Sequence, residues 1–477
     1  MRFKLLPVYF LAFLLLTVSC QFTHLSDDSI LVKNINIINL EDGSIPEPQS
    51  ILIENGRISH IFRAGGIAYA AKHEIDATGK FAIPGLWDMH IHLRGGKDLI
   101  DENKNLLPLY IAHGITTVRD AGGDITPEVL EWKSEMANNT LTGPSIFTSG
   151  PKIDGKNSTW PGSLEVQTKQ DVTNALDSLQ ALNVDYVKIY DSRLSEELYL
   201  EILKQAEARG MKTTGHMPMS VMLDDAIDAG LDGIDHLYYV MKGASSKEAE
   251  ITEKVRAGTL GFWAAVRELQ ASYDEDKAEQ LFHKLAQNNV AIIPTLHIGE
   301  VLTYLQEVDH NNDSELNYIG TGIQETYSGR LNSALKRSKA ANEFEAKLNQ
   351  TFISMIKPMF DAKVTLLTGS DNGAFNSFIY AGSSLHKELK QFVDAGLTPL
   401  EALQSSTLNG ARFFGVQDSI GTISEGKKGD LVILNQNPLL NIEHTTSIEI
   451  VIHNGKAYSR EELDLMLKEI SDTIKEP

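Results

Sequence analysis

The sequence predicts an α/β protein: a (β/α)8 TIM barrel with a small discontinuous β-sandwich domain built from the two chain ends. Three observations carry this reading. Strand-like and helix-like patterns alternate through the middle of the chain, short strands with hairpin turns occupy both ends, and histidines fall where the middle strands stop. The expected organisation is a targeting segment over 1–20, a composite β-domain from 28–84 plus 415–460, and a barrel over 85–414.

At 477 residues, with 42% hydrophobic and 22% charged residues, the chain is ordinary for a globular protein and long enough for a barrel plus a smaller domain. The net charge of −21 argues against a nucleic-acid partner, because phosphates would be repelled. The amino end reads as an export signal: Arg2 and Lys4 precede the apolar run Leu5 to Val18, then Thr17-Val18-Ser19-Cys20. It resembles a bacterial lipoprotein signal, with Thr17 where that pattern usually has Leu. Cys20 is the only cysteine, so it is the candidate lipidation site, and the mature chain has no disulfide and no cysteine ligand. The expected location is exported and membrane-anchored, on the periplasmic or cell-surface side. The membrane contact is expected through the lipid at Cys20 only, since no later stretch is long and apolar enough to span.

The first β segment runs Leu31 to Ile38, then Ser50 to Glu54, the turn Asn55-Gly56, and Arg57 to Ile61. Its partner is expected in Leu431 to Leu434 and Ile448 to Ile452, followed by a second Asn454-Gly455. Between them lie eight strand candidates: Pro84 to His92, Ile115 to Asp120, Ser145 to Ser149, Tyr186 to Tyr190, Met211 to His216, Gly233 to His236, Val290 to Pro294 and Val364 to Gly369. Helical stretches such as Asp171 to Leu182 separate most of them. The last two crossovers, about Met241 to Asn289 and Ile298 to Ala362, are long and read either as pocket-shaping insertions or as outer helices.

Alternate residues of a strand face the same side, so His90 and His92 project together and make half of a metal site. Lys188 lies on the fourth strand, His216 ends the fifth, His236 ends the sixth, and Asp371 follows the eighth. On barrel strands all six side chains converge on one rim.

The motifs Pro84-Gly85-Leu86-Trp87-Asp88-Met89-His90-Ile91-His92, Gly114 through Asp120, Val187-Lys188-Ile189-Tyr190, Gly215-His216, Asp235-His236 and Gly369-Ser370-Asp371 resemble the amidohydrolase superfamily. Within it they are similar to the binuclear branch of imidazolonepropionase and the prolidase-like peptidases. The tail from Gly396 to Leu403, and from Gly421 to Pro438, resembles it too. The resemblance implies two divalent ions, with His90, His92 and Asp371 on the more buried one and His216 and His236 on the second. It implies a bridging Lys188 carboxylated by carbon dioxide. Zinc is the ion expected for histidine-rich donors, and manganese, cobalt and iron suit them as well. The implied reaction is hydrolysis of an amide or cyclic amide carbon–nitrogen bond of a small-molecule substrate. A hydroxide formed on the metals attacks, and Asp371 acts as general acid/base.

Tyr190, Tyr238 and its neighbour Tyr239, His297 and Trp160 are the candidate substrate contacts, each open also to a packing role. Arg119 and His386 resemble recurrent family positions and read as structural. A prolidase-like dipeptidase is the alternative function. A lactonase, a phosphoesterase and an inactive ligand-binding lipoprotein remain open. A mononuclear deaminase fits less well, because that chemistry usually carries Glu after the fifth-strand histidine and here Met217 follows His216. Oligomeric state is left open, a homo-oligomer included.

Overall fold

The computed structural model describes residues 28–63, 69 and 71–475. The leader and Cys20 lie outside the described residues. The protein is a mixed α/β structure. Both chain ends enter one eight-stranded sheet, in which Phe81–Pro84 pairs in parallel with Ile30–Ile37 and antiparallel with Leu431–Leu434. Both Asn-Gly pairs form the expected hairpin turns with positive φ, Asn55 at 51° and Gly56 at 70°, Asn454 at 48° and Gly455 at 77°. Seven of the sheet's strands follow one path, and His73–Asp76 lies off it, paired in parallel with Ile30–Ile37. The two halves of the sheet share a core, since Ile53 and Ile58 pack in the same apolar cluster as Ile433 and Ile452.

The middle of the chain forms a six-stranded and a four-stranded sheet, both parallel throughout. Leu86–His92 pairs with Ile115–Asp120, which pairs with Ser145–Thr148. Val187–Ile189, Thr213–Gly215, Gly233–Asp235 and Ala291–Ile293 follow side by side in the other sheet. Backbone bonds cross both gaps between the sheets. Asp185 N–H donates to Thr148 O at 2.9 Å on one side. On the other, Leu367 N–H donates to Ile292 O and Met89 N–H to Thr368 O, each at 2.9 Å.

The expected eighth strand is reduced to a single bridge between Leu366 and Ile292. The reason is local. A Cβ on Gly369 would lie 2.6 Å from the Cβ of His90, so the chain passes too close for regular pairing. Asp88 then captures the Ser370 N–H at 2.9 Å and its hydroxyl at 2.6 Å, and Asp371 turns to φ 60°.

All seven residues of Leu86–His92 are buried, as expected for a parallel strand covered on both faces. Trp87 and Met89 press on Gly410 of the helix Leu408–Phe413, and Trp87 continues into a ring stack with Phe147 and Phe414. With that face locked to a helix, His90 and His92 are committed to the other.

Candidate metal centre

Strand alternation brings His90 and His92 together with ring centroids 4.9 Å apart. Asp371 reaches both: its Oδ1 lies 2.9 Å from His92 Nε2 and 3.4 Å from His90 Nε2. His236 Nε2 is 4.0 Å from Asp371 Oδ2. Ligand atoms of His90, His236 and Asp371 all fall within 4.8 Å of one another. His216 joins through its ring, 5.1 Å from that of His236. Lys188 reaches the cluster indirectly, by a short hydrogen bond to Asp235, whose Oδ1 lies 3.4 Å from His90 Nδ1.

The donors suit a divalent cation. His90 Nε2 is buried with no hydrogen-bond partner. Burial lowers the His92 and His236 imidazoles well below their ordinary pKa, so both are neutral and offer lone pairs. Burial opposes ionisation of Asp371, yet His90 and His92 hold its carboxyl well below the usual carboxylate range. Burial also lowers the Lys188 amine, and Arg119 adds to this against the pull of Asp235.

Around these groups stands a shell of orienting contacts. Arg119 donates to Asp235 Oδ1 at 2.6 Å and to Thr214 Oγ1 at 2.7 Å, and its Nη2 lies 2.9 Å from His90 Nδ1. Asp191 Oδ1 meets His216 Nδ1 at 3.1 Å and its Oδ2 accepts from the Tyr239 hydroxyl at 2.8 Å. Thr295 Oγ1 meets His236 Nδ1 at 2.7 Å. Asn376 Nδ2 donates to Asp371 Oδ1 at 2.7 Å. Such partners fix ring tautomers and ligand direction. His236, Thr295 and Asp371 all carry positive φ, at 66°, 52° and 60°. Backbone of this kind stores about 1–3 kcal/mol per residue and gathers at functional sites.

Among the candidate substrate contacts, Tyr190 and Trp160 border the cluster. The Tyr190 ring lies 4.5 Å from that of His216 and 6.3 Å from that of Trp160. Tyr238 instead packs among Phe262, Trp263 and Phe352, and it is Tyr239 that reaches the histidine network. The His297 ring nitrogens are buried without a hydrogen-bond partner, Nδ1 lies 4.0 Å from Glu300 Oε2, and among the described residues no hydrogen bond or ion pair joins the ring to the cluster. His386 bonds Thr445 and His113 O, a packing role.

Sequence reasoning missed Asp191, Asn376 and a group of cations. Arg94 stacks over Trp160 at 4.1 Å and donates to Asn376 Oδ1 at 3.2 Å, and Arg330 donates to the same oxygen at 2.7 Å. Lys152 donates to Gly122 O and lies 5.7 Å from the Trp160 ring centre. Burial, with Arg94 and Lys188 nearby, lowers Lys152 to about 7. Among the described residues none of these three cations makes an ion pair. Asp191 could have been found from its place directly after Tyr190; Asn376 carries no comparable signal.

Gly215, the residue before His216, has φ 139°, and a Cβ there would sit 2.1 Å from the Ile189 carbonyl oxygen. Gly215→Ala must therefore push two paired strands apart. We expect a loss of about 1–3 kcal/mol or more, read as a lower urea midpoint, together with reduced metal uptake as His216 shifts.

The amidohydrolase family description matches residues 81–458. A 5-methylthioadenosine/S-adenosylhomocysteine deaminase of Caldanaerobacter subterraneus subsp. tengcongensis is 22% identical over 454 residues, covering 90% of this chain and 92% of the relative. An adenine deaminase of Paracoccus denitrificans is 19% identical over 428 residues, covering 89% of this chain and 57% of the relative. Among solved structures, a bottromycin amidohydrolase superposes with a TM-score of 0.75 at 20% identity, over 94% of this chain and 91% of that one. A Xaa-Pro dipeptidase with methionine in its active site superposes at 0.67 with 18% identity, over 90% and 100%. At these identities the superpositions speak to the fold alone.

Proposed function

The chain belongs to the amidohydrolase family and is a hydrolase acting on carbon–nitrogen bonds; from that premise we propose that it cleaves an amide or cyclic amide of a small molecule. The observation that carries this is the setting of Asp371. Its Oδ1 is held by His92 and Asn376 and lies 3.4 Å from His90 Nε2, while its Oδ2 lies 4.0 Å from His236 Nε2. In this reading His90, His92 and Asp371 would hold one divalent ion and His216 and His236 a second, and Lys188, once carboxylated, would supply a further anionic ligand. The ions would acidify a water and polarise the scissile carbonyl. Asp371 Oδ2 takes the proton released on attack and returns it to the departing nitrogen. Asp191 and Thr295 keep His216 and His236 in one tautomer. The two parallel sheets are read as one closed eight-stranded barrel, 85–414, with the site at its C-terminal rim. The segment 1–20 is read as a lipoprotein signal that anchors the chain through Cys20.

A second reading, a prolidase-like dipeptidase, is favoured by Arg94, Lys152 and Arg330. Arg94 and Lys152 are buried and Arg330 is half-buried, none of them in an ion pair among the described residues; such cations are costly unless a counter-ion arrives, and a substrate carboxylate would supply one. The test is a panel of dipeptides, N-acyl amino acids, neutral cyclic amides, lactones, adenine and 5-methylthioadenosine, offered to metal-loaded protein and followed by mass spectrometry. Turnover of amides confined to the metal-loaded form supports the proposal, and turnover of lactones or the purines alone refutes it. For the second reading, Arg330→Met is expected to raise KM for carboxylate-bearing substrates roughly 10–100-fold, the worth of a charged hydrogen bond, while neutral amides are unaffected. Equal effects on both classes would remove the carboxylate argument.

A further inference from the structure

We propose that Glu388, on the distant helix Ser383–Asp394, is a positioning residue for His236, acting through the turn at Thr295. The helix Leu296–Thr303 begins at Thr295, and a threonine there would ordinarily cap the helix with its own hydroxyl. Here it makes no such bond. Its hydroxyl is spent on His236 Nδ1 at 2.7 Å, from a backbone held at φ 52° and ψ 53°. The vacant capping role is filled from outside. The Glu388 carboxyl, fully buried, accepts the N–H of Leu296 at 3.0 Å and of His297 at 2.7 Å. Two amides held by one carboxyl fix both the direction of the helix start and the left-handed turn before it. The turn in turn aims the Thr295 hydroxyl at His236 Nδ1, and in the proposal its oxygen accepts from Nδ1–H and leaves the Nε2 lone pair free, on the side of Asp371 Oδ2. Glu388 thus releases Thr295 from capping so that Thr295 can select the His236 tautomer.

The inference rests on the proposed metal centre, but its first readout needs no metal. In metal-free protein labelled with ¹⁵N-histidine, His236 is expected as the Nδ1–H tautomer. Glu388→Gln and Thr295→Val are each expected to convert it to a tautomer mixture, and Thr295→Ser to restore it. In Co²⁺-loaded protein, Glu388→Gln should shift the visible ligand-field bands and weaken metal binding roughly 10–100-fold, the usual effect of losing an outer partner of a ligating histidine. Glu388→Gln puts an amide NH₂ against one of the two N–H groups at unchanged volume, and Glu388→Asp provides a second variant should the first not fold. A Glu388 variant that melts earlier but keeps the His236 tautomer and binds Co²⁺ within twofold of the parent overturns the inference. If the parent binds no metal while the tautomer responds as expected, the metal-centre reading fails and the positioning role of Glu388 stands.

Discussion

Asp371→Asn is expected to lower kcat by about 10²–10⁴-fold, the usual worth of a general acid/base, with the fold retained. The substitution preserves volume and can still accept from Asn376 and face His92. It cannot carry a proton, and it removes the anion that His90 and His92 hold ionised. Circular dichroism and a melting curve close to the parent's, alongside loss of turnover across all substrates, would establish the role. Turnover within tenfold of the parent would show that another group moves the proton. Because metal affinity is expected to fall as well, kcat should be measured at saturating metal, where occupancy no longer limits the rate.

Asp235→Ala is expected to be the most destabilising single change at the site, by about 3–5 kcal/mol. In metal-free protein, with Lys188 as the free amine, Asp235 lies between two buried cations, accepting from Arg119 Nη2 at 2.6 Å and from Lys188, and neither it nor Arg119 is exposed to solvent. Removing the anion leaves both charges buried without a partner. Asp235→Asn keeps the acceptor oxygen and should cost less, so the difference between the two variants isolates the charge from the shape. Burial raises the Asp235 carboxyl, but Arg119, Lys188 and His90 outweigh it and hold the group well below the ordinary value. A carboxyl depressed in the folded state contributes its full stability above the unfolded pKa of about 3.9 and loses it as pH falls through the lower folded value. Acid unfolding of the parent should therefore be steeper than that of Asp235→Asn. Superimposable acid transitions would mean that the charge contributes nothing.

The geometry that follows from strand alternation was legible in the sequence. His90 and His92 share a face because a strand repeats every two residues, and the two Asn-Gly turns follow from the ease with which those residues adopt positive φ. The joining of the chain ends was legible because both carried the same short-strand pattern. Contacts set by loops were not. Asn376 reaches Asp371 across a turn of irregular backbone, and Arg330 arrives from the helix Ser328–Leu335 within a long crossover whose path has no periodic signature. The segment Val364 to Gly369 misled for a related reason. Its β-branched, apolar composition favours a strand, but close approach of Gly369 to His90 and capture of Ser370 by Asp88 override that preference. Tyr238 and Tyr239 were separable only by helix geometry, since successive residues of a helix point about 100° apart.

Phe81–Pro84 leads directly into Leu86–His92, and Ile83 lies opposite Val432 in the sheet. Nearly all of the middle of the chain separates these partners, so the pair has a very high contact order and closes late. The strand that bears His90 and His92 consequently lacks its anchor while the parallel sheets are already forming. Metal offered during refolding should be captured in a slow phase that follows the bulk recovery of helix. A ribosome that has made Ile83 leaves its apolar edge open to other strands until Val432 emerges, which makes this edge the place where aggregation competes with folding.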